Sequence, residues 1–175
     1  MNQIVSMHAR KVYVDKSAIS GRGVFAKKDV KKGEIIFIAK GTPRHLKVRN
    51  KKDSQLGPDW LGVGRDLWID PYDYNPLSYI NHSCEPNAGI KGAVTVVASQ
   101  NIHHGEEITF DYSTTESDLY WEFRCNCKNK KCRKIIRSVQ FLPIERFKRY
   151  LPYVPRYFKK VYVEYNGNKY HLKLG

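Results

Sequence analysis

Short apolar runs, separated by turn-forming residues, occupy most of the first two thirds of the sequence. β-branched and aromatic residues are frequent in these runs, which lie at residues 12–14, 24–26, 34–39, 67–70, 93–98 and 107–112. Runs of this length and composition, bounded by Gly, Pro, Asn or Asp, are typical of strands. We therefore expect a mostly β body, in which runs 24–26 and 34–39 pair antiparallel across a turn that contains Gly33.

A mostly polar segment, residues 40–66, separates two of these runs. It carries turn signals at residues 41–43 and 57–59. We interpret it as a connecting region, from which Trp60 and Leu61 tuck back onto the body. Pro71 is expected to end the strand that follows, because proline lacks the N–H that a sheet requires.

The last third of the sequence has a different pattern. Over residues 143–151, Pro143 precedes apolar residues at 144, 147 and 151, which predicts a short amphipathic helix with proline at its first position. Two apolar stretches then flank Asn166-Gly167, a pair that favours a two-residue hairpin turn. We therefore expect a small α+β extension that ends in a β-hairpin over residues 161–172. Its cross-strand pairs are Glu164 with Lys169, Val163 with Tyr170 and Val161 with Leu172.

Length and composition indicate one globular domain with an appendage. The chain has 175 residues, of which 41% are hydrophobic and 13% aromatic, enough for one core but too few for two full-sized domains. No apolar segment has the length needed to cross a bilayer. Residues 1–8 lack the charged start and apolar stretch of a signal peptide. We therefore expect an intracellular protein that has no membrane partner.

Positive charge is concentrated towards the C-terminal end. The formal net charge is +14, and residues 1–121 carry 16 Lys and Arg against 14 Asp and Glu, whereas residues 122–175 carry 15 against 3. A basic third of this kind suits contact with a polyanion such as DNA, RNA or a ribosome. It is equally typical of a solvated face that aids solubility. Charge alone leaves both interpretations open.

Three of the four cysteines form a cluster. Cys125, Cys127 and Cys132 have the spacing C-x-C-x4-C, and Cys84 lies far upstream. In a reducing compartment, such a cluster indicates thiolate metal ligands more than disulfides. Zinc prefers four tetrahedral nitrogen or sulfur ligands, and the cluster supplies three. The alternative is a set of inert buried thiols.

A polar, turn-rich stretch, Tyr-Ile-Asn-His-Ser-Cys-Glu-Pro-Asn, interrupts the apolar pattern at residues 79–87. Polar chemistry between apolar strands usually marks a site. Three segments occur in order, at residues 21–26 with 32–34 behind them, at 80–87 and at 105–112. With the trailing cysteine cluster they resemble the SET-domain protein-lysine methyltransferases and their post-SET zinc segment. The resemblance covers roughly residues 10–134.

This resemblance implies a SET fold of the β-clip type. In that fold the C-terminal strand threads beneath a neighbouring loop as a pseudoknot, an exception to the usual rule against threaded chains. The threading would bring Asn81 and His82 next to Tyr112, with S-adenosylmethionine on one face and a substrate lysine in a channel from the other. The implied division is a SET domain at 1–124 (motif core about 10–113), a post-SET zinc segment at 125–134 and a basic extension at 135–175.

The resemblance also assigns roles to individual residues. Tyr112 is the expected catalytic residue, because its hydroxyl would hydrogen-bond near the transferring methyl group and the amine. Simpler interpretations are a core tyrosine for Tyr112, a polar turn for the Asn-His pair and a solvated side chain for Arg22. The residues expected to bind the cofactor are Gly21, Arg22, Gly23, Asn81, His82, Tyr112, Trp121 and Phe123.

Phe110 matches the position that tunes how many methyl groups members of this family add. A tyrosine there holds a water molecule that restricts the amine, whereas phenylalanine leaves space. The resemblance therefore implies that dimethylation or trimethylation is accessible to this chain.

The resemblance also supplies a fourth ligand for zinc, because Cys84 matches the family's ligand inside the Asn-His motif. The expected metal ligands are therefore Cys84, Cys125, Cys127 and Cys132. Such an ion would tie the basic tail to the active site and help close the cofactor pocket, with Trp121 or Phe123 packing on the adenine.

The leading hypothesis is an S-adenosylmethionine-dependent protein-lysine N-methyltransferase that acts on a histone or another chromatin- or ribosome-associated protein. The alternative is a non-catalytic, zinc-containing nucleic-acid-binding module that uses the basic C-terminal third. Only the enzyme requires Tyr112. The expected location is the nucleus in a eukaryote, and the cytoplasm or nucleoid in a prokaryote. Aromatic residues that the alternative would use, although they fit a core better, are Tyr150, Tyr153, Tyr157 and Phe158.

Overall fold

A computed structural model describes residues 11–47, 50–51 and 60–170. Within these residues the chain forms twelve short strands and two α-helices, which confirms the mostly β prediction. The helices are α1 (Ile144–Tyr150) and α2 (Arg156–Tyr170). The strands are β1 (Val12–Lys16), β2 (Arg22–Ala26), β3 (Ile35–Ile38), β4 (Gly41–His45), β5 (Leu61–Gly64), β6 (Leu67–Pro71), β7 (Asn81–His82), β8 (Ala88–Lys91), β9 (Thr95–Ala98), β10 (Glu107–Phe110), β11 (Glu122–Arg124) and β12 (Ile135–Arg137).

The strands form small sheets around one apolar core. Their orders are β1-β2-β10-β7, β3-β9-β8, β4-β6-β5 and the pair β11-β12. Buried side chains from the first three sheets meet in a single cluster, which includes Val24, Ile90 and Ile108. The body is therefore held together by side-chain packing between short sheets.

Strand β10 organises the centre of the body. It runs antiparallel to β2 and parallel to β7, with Thr109 opposite Asn81 and Phe110 opposite His82. Ile108, Thr109 and Phe110 are all buried, as is usual for a strand that is covered on both faces. The second and third motifs of the sequence therefore lie side by side, which is the neighbourhood that the predicted threading requires.

The expected antiparallel pairing of runs 24–26 and 34–39 is wrong. Strand β2 pairs with β1 and β10, whereas β3 pairs with β9. Between them, the buried residue Val30 forms a bridge with Ile102. This long-range contact directs the chain away from β2, so the polar Gly33 turn does not close a hairpin.

The region between 40 and 66 was expected to be a connection, but it contributes two strands. β4 and β5 lie on either side of β6, and Arg44 of β4 pairs with Asp70 of β6 at 2.8 Å. Most of β4 is exposed, so it lacks the apolar alternation that would identify it in the sequence. Leu61 is buried as expected. Residues 48–49 and 52–59, including the predicted turn at 57–59, lie outside the described part of the chain.

The predicted C-terminal helix is present as α1, with Pro143 at its N-cap position. The β-hairpin prediction is wrong, because residues 156–170 form α2. Phe158, Tyr162 and Asn166 recur every four residues and are 1%, 0% and 7% exposed. The Asn166 amide donates to the Gln140 backbone oxygen at 2.9 Å. Burial of this helical face therefore outweighs the local turn preference of Asn166-Gly167, while the expected partner Leu172 is not among the described residues.

Residues 139–170, here called the C-terminal module, form a second core. The rings of Phe147 and Tyr162 stack at 3.6 Å, and the module packs on the body at two glycines. A Cβ on Gly89 would lie 2.5 Å from the Tyr153 Cβ, and one on Gly62 would overlap Thr115 and approach Phe158. Neither helix in the described residues is long and apolar enough to cross a membrane. The buried residues of the module's core are Val139, Leu142, Phe147, Tyr150, Val154, Phe158 and Tyr162.

Candidate active site and metal centre

Tyr112 begins the short 3-10 turn Tyr112–Thr115 that follows β10. Its hydroxyl donates a hydrogen bond to the Ile80 backbone oxygen at 2.6 Å, and its backbone N–H donates to Nδ1 of His82 at 3.2 Å. Its ring centroid lies 4.9 Å from that of Phe110 and 5.8 Å from that of Phe123. Tyr112 is therefore fixed both at its backbone and at its hydroxyl, beside the second motif, although 30 residues separate it from His82.

His82 is a buried, neutral imidazole. Burial lowers its pKa from 6.5 to about 4, so it carries no charge at neutral pH. Because Nδ1 accepts the Tyr112 N–H, the ring proton belongs on Nε2, which lies 3.5 Å from Sγ of Cys84. The imidazole thus connects the tyrosine to the cysteine cluster.

Asn81 ties the first motif to the second. Its Nδ2 atom lies within hydrogen-bonding distance of the backbone oxygens of Ser20 (3.2 Å) and Arg22 (2.9 Å) and of Glu107 Oε1 (2.8 Å). The Arg22 guanidinium lies 4.3 Å from the ring centroid of Tyr79, which is a cation–π contact. One interpretation of the sequence was that this side chain is simply solvated. The loop of the first motif is therefore anchored against β7.

The Glu107 carboxylate is a positioning group that sequence reasoning missed. It accepts hydrogen bonds from the Ser17 hydroxyl at 2.8 and 2.9 Å and from Asn81. A Cβ on Gly23 would overlap this carboxylate, so a larger residue there would displace Glu107 from its hydrogen bonds to Ser17 and Asn81. The Gly-Glu-Glu segment at 105–107 was the available signal, but only the fold reveals the partners of Glu107.

Trp121 and Phe123 extend the aromatic array. Phe123 lies on β11, with its ring 5.4 Å from His82 and 5.2 Å from Trp121. Both aromatic side chains are half-buried. The structure thus places Phe123 against the Tyr112–His82 pair, with Trp121 next to it at the edge of the site.

The four cysteine sulfurs converge on one point. Their Sγ atoms all lie within 4.8 Å of one another, and those of Cys84 and Cys125 are 3.8 Å apart. Zinc–thiolate bonds of about 2.3 Å in a tetrahedron separate the sulfurs by about 3.8 Å. Residues 125–134 form the loop between the antiparallel strands β11 and β12, which explains how three of the thiols come together. This donor set fits a zinc ion.

Backbone N–H groups support the sulfurs. The N–H of Arg133 donates to Cys84 Sγ at 3.3 Å, and two further N–H groups donate to Cys125 and Cys132 at 3.4 Å. Burial raises the pKa of Cys84. Burial also acts to raise the pKa of Cys127, but hydrogen bonds from backbone groups and from the Cys125 and Cys132 thiols together outweigh it and lower the pKa to about 7. Hydrogen bonds of this kind orient thiolate ligands around a metal.

Arg133 links the cysteine loop to the third motif, a connection that the sequence did not suggest. Its guanidinium contacts both carboxylate oxygens of Asp111 at 2.6 Å and the Ser113 hydroxyl at 3.1 Å. The Asp111 side chain is 1% exposed, so this paired charge is almost fully removed from water. The cysteine loop and Tyr112 are therefore held by one network.

A family profile described as SET domain matches residues 21–113, more than half of the chain. The chain belongs to the SET-domain family. The resemblance drawn from the motifs is thereby confirmed, and the matched range contains the first motif, Asn81, His82 and Tyr112.

Two curated relatives of this SET domain are each 31% identical to it. Human histone-lysine N-methyltransferase 2B matches 71% of this chain, and the Plasmodium falciparum (isolate 3D7) variant-silencing SET domain-containing protein matches 68%. This chain covers 5% of the length of each relative. It therefore corresponds to a small part of those proteins.

A solved structure of KRYPTONITE, described as a complex with mCHH DNA, an H3(1-15) peptide and SAH, superposes on this SET domain with a TM-score of 0.58. The two chains are 21% identical, and the match covers 72% of this chain and 29% of the other. At this identity the likeness shows the fold alone, which agrees with the predicted SET architecture.

Proposed function

We propose that this chain is a protein-lysine N-methyltransferase that uses S-adenosylmethionine. The observation that carries the proposal is the convergence of Tyr112, the Asn81–His82 pair and the four thiols at one place. Membership of the SET family and relatives named as histone-lysine N-methyltransferases support it. The solved relative that contains a histone peptide and SAH supports the same choice of substrate and cofactor.

The surroundings of Tyr112 suit a lysine side chain. Methyl transfer to an amine is an in-line displacement that requires a neutral nitrogen in fixed alignment. A lysine enclosed by the rings of Phe110, Tyr112 and Phe123 would lose hydration, which lowers its pKa from about 10.4 and favours the neutral amine. The Tyr112 hydroxyl, fixed near the Ile80 carbonyl, would orient the amine, so no separate strong base is required.

The cofactor would lie against the first motif, Asn81, His82, Trp121 and Phe123. Among the described residues, nothing donates a hydrogen bond to the Asn81 amide oxygen, an acceptor that suits an ammonium group. Open space lies where a Gly21 side chain would stand, and the half-buried rings of Trp121 and Phe123 suit stacking on a base. These features fit S-adenosylmethionine, which when bound would supply a methyl group on a sulfonium. The chain's own contribution is to hold that group in line with the amine.

Phe110 is proposed to permit dimethylation and trimethylation. Its side chain is 4% exposed and packs on Tyr112, and it lacks a hydroxyl that could anchor a water beside the amine. Phe110→Tyr is expected to shift products towards monomethyl-lysine. A strictly monomethylated product from the wild-type protein, measured by mass spectrometry at saturating enzyme, would contradict this proposal.

Zinc is proposed to bind Cys84, Cys125, Cys127 and Cys132. It would have a structural role, because all four positions are thiolates and none is left open for substrate. The ion would fix β11, and with it Phe123, against the body. Metal analysis of freshly purified protein should find one zinc per chain. Full activity without zinc, or in a Cys84→Ser variant, would count against the site.

The substrate is proposed to be a histone or another chromatin- or ribosome-associated protein. Lysine and arginine side chains of the C-terminal third would favour a substrate already bound to nucleic acid, because a free basic peptide would be repelled. Among the described residues, no acidic group pairs with Lys128, Lys130, Lys131 or Lys148. The names of the relatives favour the nucleus as the location in a eukaryote, and the cytoplasm or nucleoid remains the expectation for a prokaryote.

A nucleic-acid-binding module without catalysis is the second candidate, supported by the same unpaired lysines. The burial of two of its four proposed stacking residues argues against it, whereas Tyr153 and Tyr157 are half-buried. Tyr150 and Phe158 are 8% and 1% exposed, so these rings serve the core of the C-terminal module, where bases cannot reach them.

The two candidates separate in one experiment. The protein is incubated with methyl-labelled S-adenosylmethionine and a panel of basic proteins, with and without nucleic acid. The enzyme should label lysine residues and lose this activity in Tyr112→Phe, whereas a binding module should retain its affinity in Tyr112→Phe and lose it when Lys128, Lys130 and Lys131 are changed to Glu. Absence of labelling throughout would overturn the enzymatic proposal.

A further inference from the structure

The first helix of the C-terminal module lies against the metal centre. Tyr150 of α1 donates its hydroxyl to the backbone oxygen of Cys84 at 3.0 Å. Arg149 donates two hydrogen bonds to the Glu85 carboxylate, each 3.0 Å long. The segment of the body that carries Cys84 and Glu85 is thus covered by α1, a helix that follows the cysteine cluster in sequence.

Within the described residues, Arg146 is the one α1 side chain that contacts both the segment with Cys84 and the loop at 125–134 that carries the other three cysteines. Its Nη1 atom donates to the Cys84 backbone oxygen and to Glu85 at 2.9 Å. Its Nη2 atom donates to the backbone oxygen of Lys131 at 2.8 Å, one residue before Cys132. The side chain is 13% exposed. A planar guanidinium can form both contacts at once, because its donors point in fixed, different directions.

Other residues duplicate some of the contacts of Arg146, but not all of them. Glu85 is also paired with Arg149, and the Cys84 oxygen also accepts from Tyr150. Arg146 alone among the described residues donates to the Lys131 backbone oxygen. Loss of the guanidinium therefore leaves the body side of the contact bonded but removes the hydrogen bond from α1 to the cysteine loop, which then depends on Arg133 for its contact with Asp111.

The helix that carries Arg146 is itself fixed to the body. Tyr153, which follows α1, fills the space over Gly89, and Phe158 of α2 approaches Gly62. The Gln140 amide donates to the Ser117 backbone oxygen at 2.8 Å. The module can therefore hold the cysteine loop in place without moving with it.

We propose that Arg146 is a positioning residue of the metal centre, which holds the loop bearing Cys125, Cys127 and Cys132 against Cys84. The inference rests on the zinc site of the proposed function. It gives the C-terminal module a specific role. Through Arg146, the module would slow the separation of the cysteine loop from Cys84, the ligand that comes from a distant part of the chain. Second-layer contacts of this kind typically change metal affinity about 10-fold to 100-fold.

Zinc release tests the proposal. Zinc-loaded protein of all 175 residues is mixed with excess chromogenic chelator, and the first-order rate of zinc transfer is followed by absorbance. Arg146→Ala is expected to release zinc about 10-fold faster than the wild type. Arg149→Ala is the matched control, since it lies on the same helix and binds the same glutamate but does not contact the cysteine loop, and its rate should stay within about 2-fold of the wild type.

Three outcomes would overturn the proposal. They are release from Arg146→Ala at the wild-type rate, equal acceleration by Arg149→Ala, and a wild-type protein that holds no zinc. The last would also end the zinc proposal, whereas the first two leave it intact, so the failures are distinguishable. If Arg146→Ala shows no cooperative melting, Arg146→Lys is used. Lysine keeps the charge beside Glu85 but lacks the second nitrogen that donates to the Lys131 backbone oxygen. Release from this variant at the wild-type rate would equally refute the role.

Discussion

The motif-bearing body and the C-terminal module are built by different rules. In the body, groups from distant parts of the chain meet because β10 pairs with both β2 and β7 in a fixed register. In the module, a core of seven buried residues lies within one 24-residue stretch, Val139 to Tyr162, and contributes none of the predicted site residues. The body thus concentrates chemistry, and the module concentrates packing. Substitutions should therefore separate activity from stability according to the region in which they fall.

The largest expected effect belongs to Tyr112→Phe. Removing the hydroxyl at the reaction centre should lower kcat about 1000-fold, equivalent to about 4 kcal/mol. The aromatic packing survives, so Tm should change by no more than about 4 °C. Steady-state kinetics and thermal unfolding measure the two quantities, and Tyr165→Phe, at an exposed position, is the control. Unchanged kcat in Tyr112→Phe would remove Tyr112 from the mechanism.

The reverse behaviour is expected for Tyr162→Ala in the module. Tyr162 is fully buried, stacks on Phe147 and donates to the Leu142 oxygen at 3.1 Å. Its loss should lower the free energy of unfolding by about 3 kcal/mol. Denaturant unfolding would measure the loss, and Tyr165→Ala, on the exposed side of the same helix, should cost about 0.5 kcal/mol or less. Equal losses from the two variants would show that the module has no separate core.

Glu116 lies where the two regions join, and it should make stability depend on pH. Its carboxylate accepts from the N–H groups of Ser117 and Asp118, while the Val139 N–H bonds to its backbone oxygen. Burial raises its pKa from 4.5 to about 7.

The sign of the Glu116 effect follows from the raised pKa. The folded state binds the proton more tightly, so the stabilisation is complete below pH 4.5 and is lost as the pH rises through 7. Relative to Glu116→Gln, the wild type should lose about 3 kcal/mol between pH 4.5 and pH 8. Denaturant melts across this range measure the difference, with exposed Glu145→Gln as the control. Parallel curves for wild type and Glu116→Gln would rule out the effect.

The smallest effect is expected from Gly167→Ala and distinguishes helix from hairpin. In α2, alanine should stabilise the protein by about 0.5 kcal/mol because it restricts the unfolded chain and favours the helix. In a type I′ turn the same change would be destabilising, because that turn requires a positive φ. Gly33→Ala is the control, since Gly33 has φ +85 with open space around it, and should cost about 1 kcal/mol. Destabilisation by Gly167→Ala would contradict the helix.

The candidate site was largely visible in the sequence, because its residues sit in contiguous motifs whose order carries information. Tyr112, Asn81 and the cysteines were all named from such motifs, and the structure brings them together. Glu107 and Arg133 were missed because their roles depend on partners 90 and 22 residues away. No local pattern encodes such pairings.

The fold was less predictable at its exposed or competing segments. Strand β4 escaped notice because four of its five residues are exposed. The Asn166-Gly167 pair suggested a hairpin because turn propensity is local, whereas the burial of Phe158, Tyr162 and Asn166 depends on surfaces supplied by Gln140 and Phe147. Periodicity every four residues was present, but it competed with an equally plausible alternation of apolar positions.

The spacing of the four thiols has a consequence for biosynthesis. A ribosome makes Cys84 well before Cys132, and domains generally begin to fold from the end that emerges first. Until the strand that contains Ile135–Arg137 has left the exit tunnel, the hairpin that gathers the later three thiols cannot close. The ion would therefore be captured late, and an aborted nascent chain that lacks this hairpin would keep Cys84 without its partners.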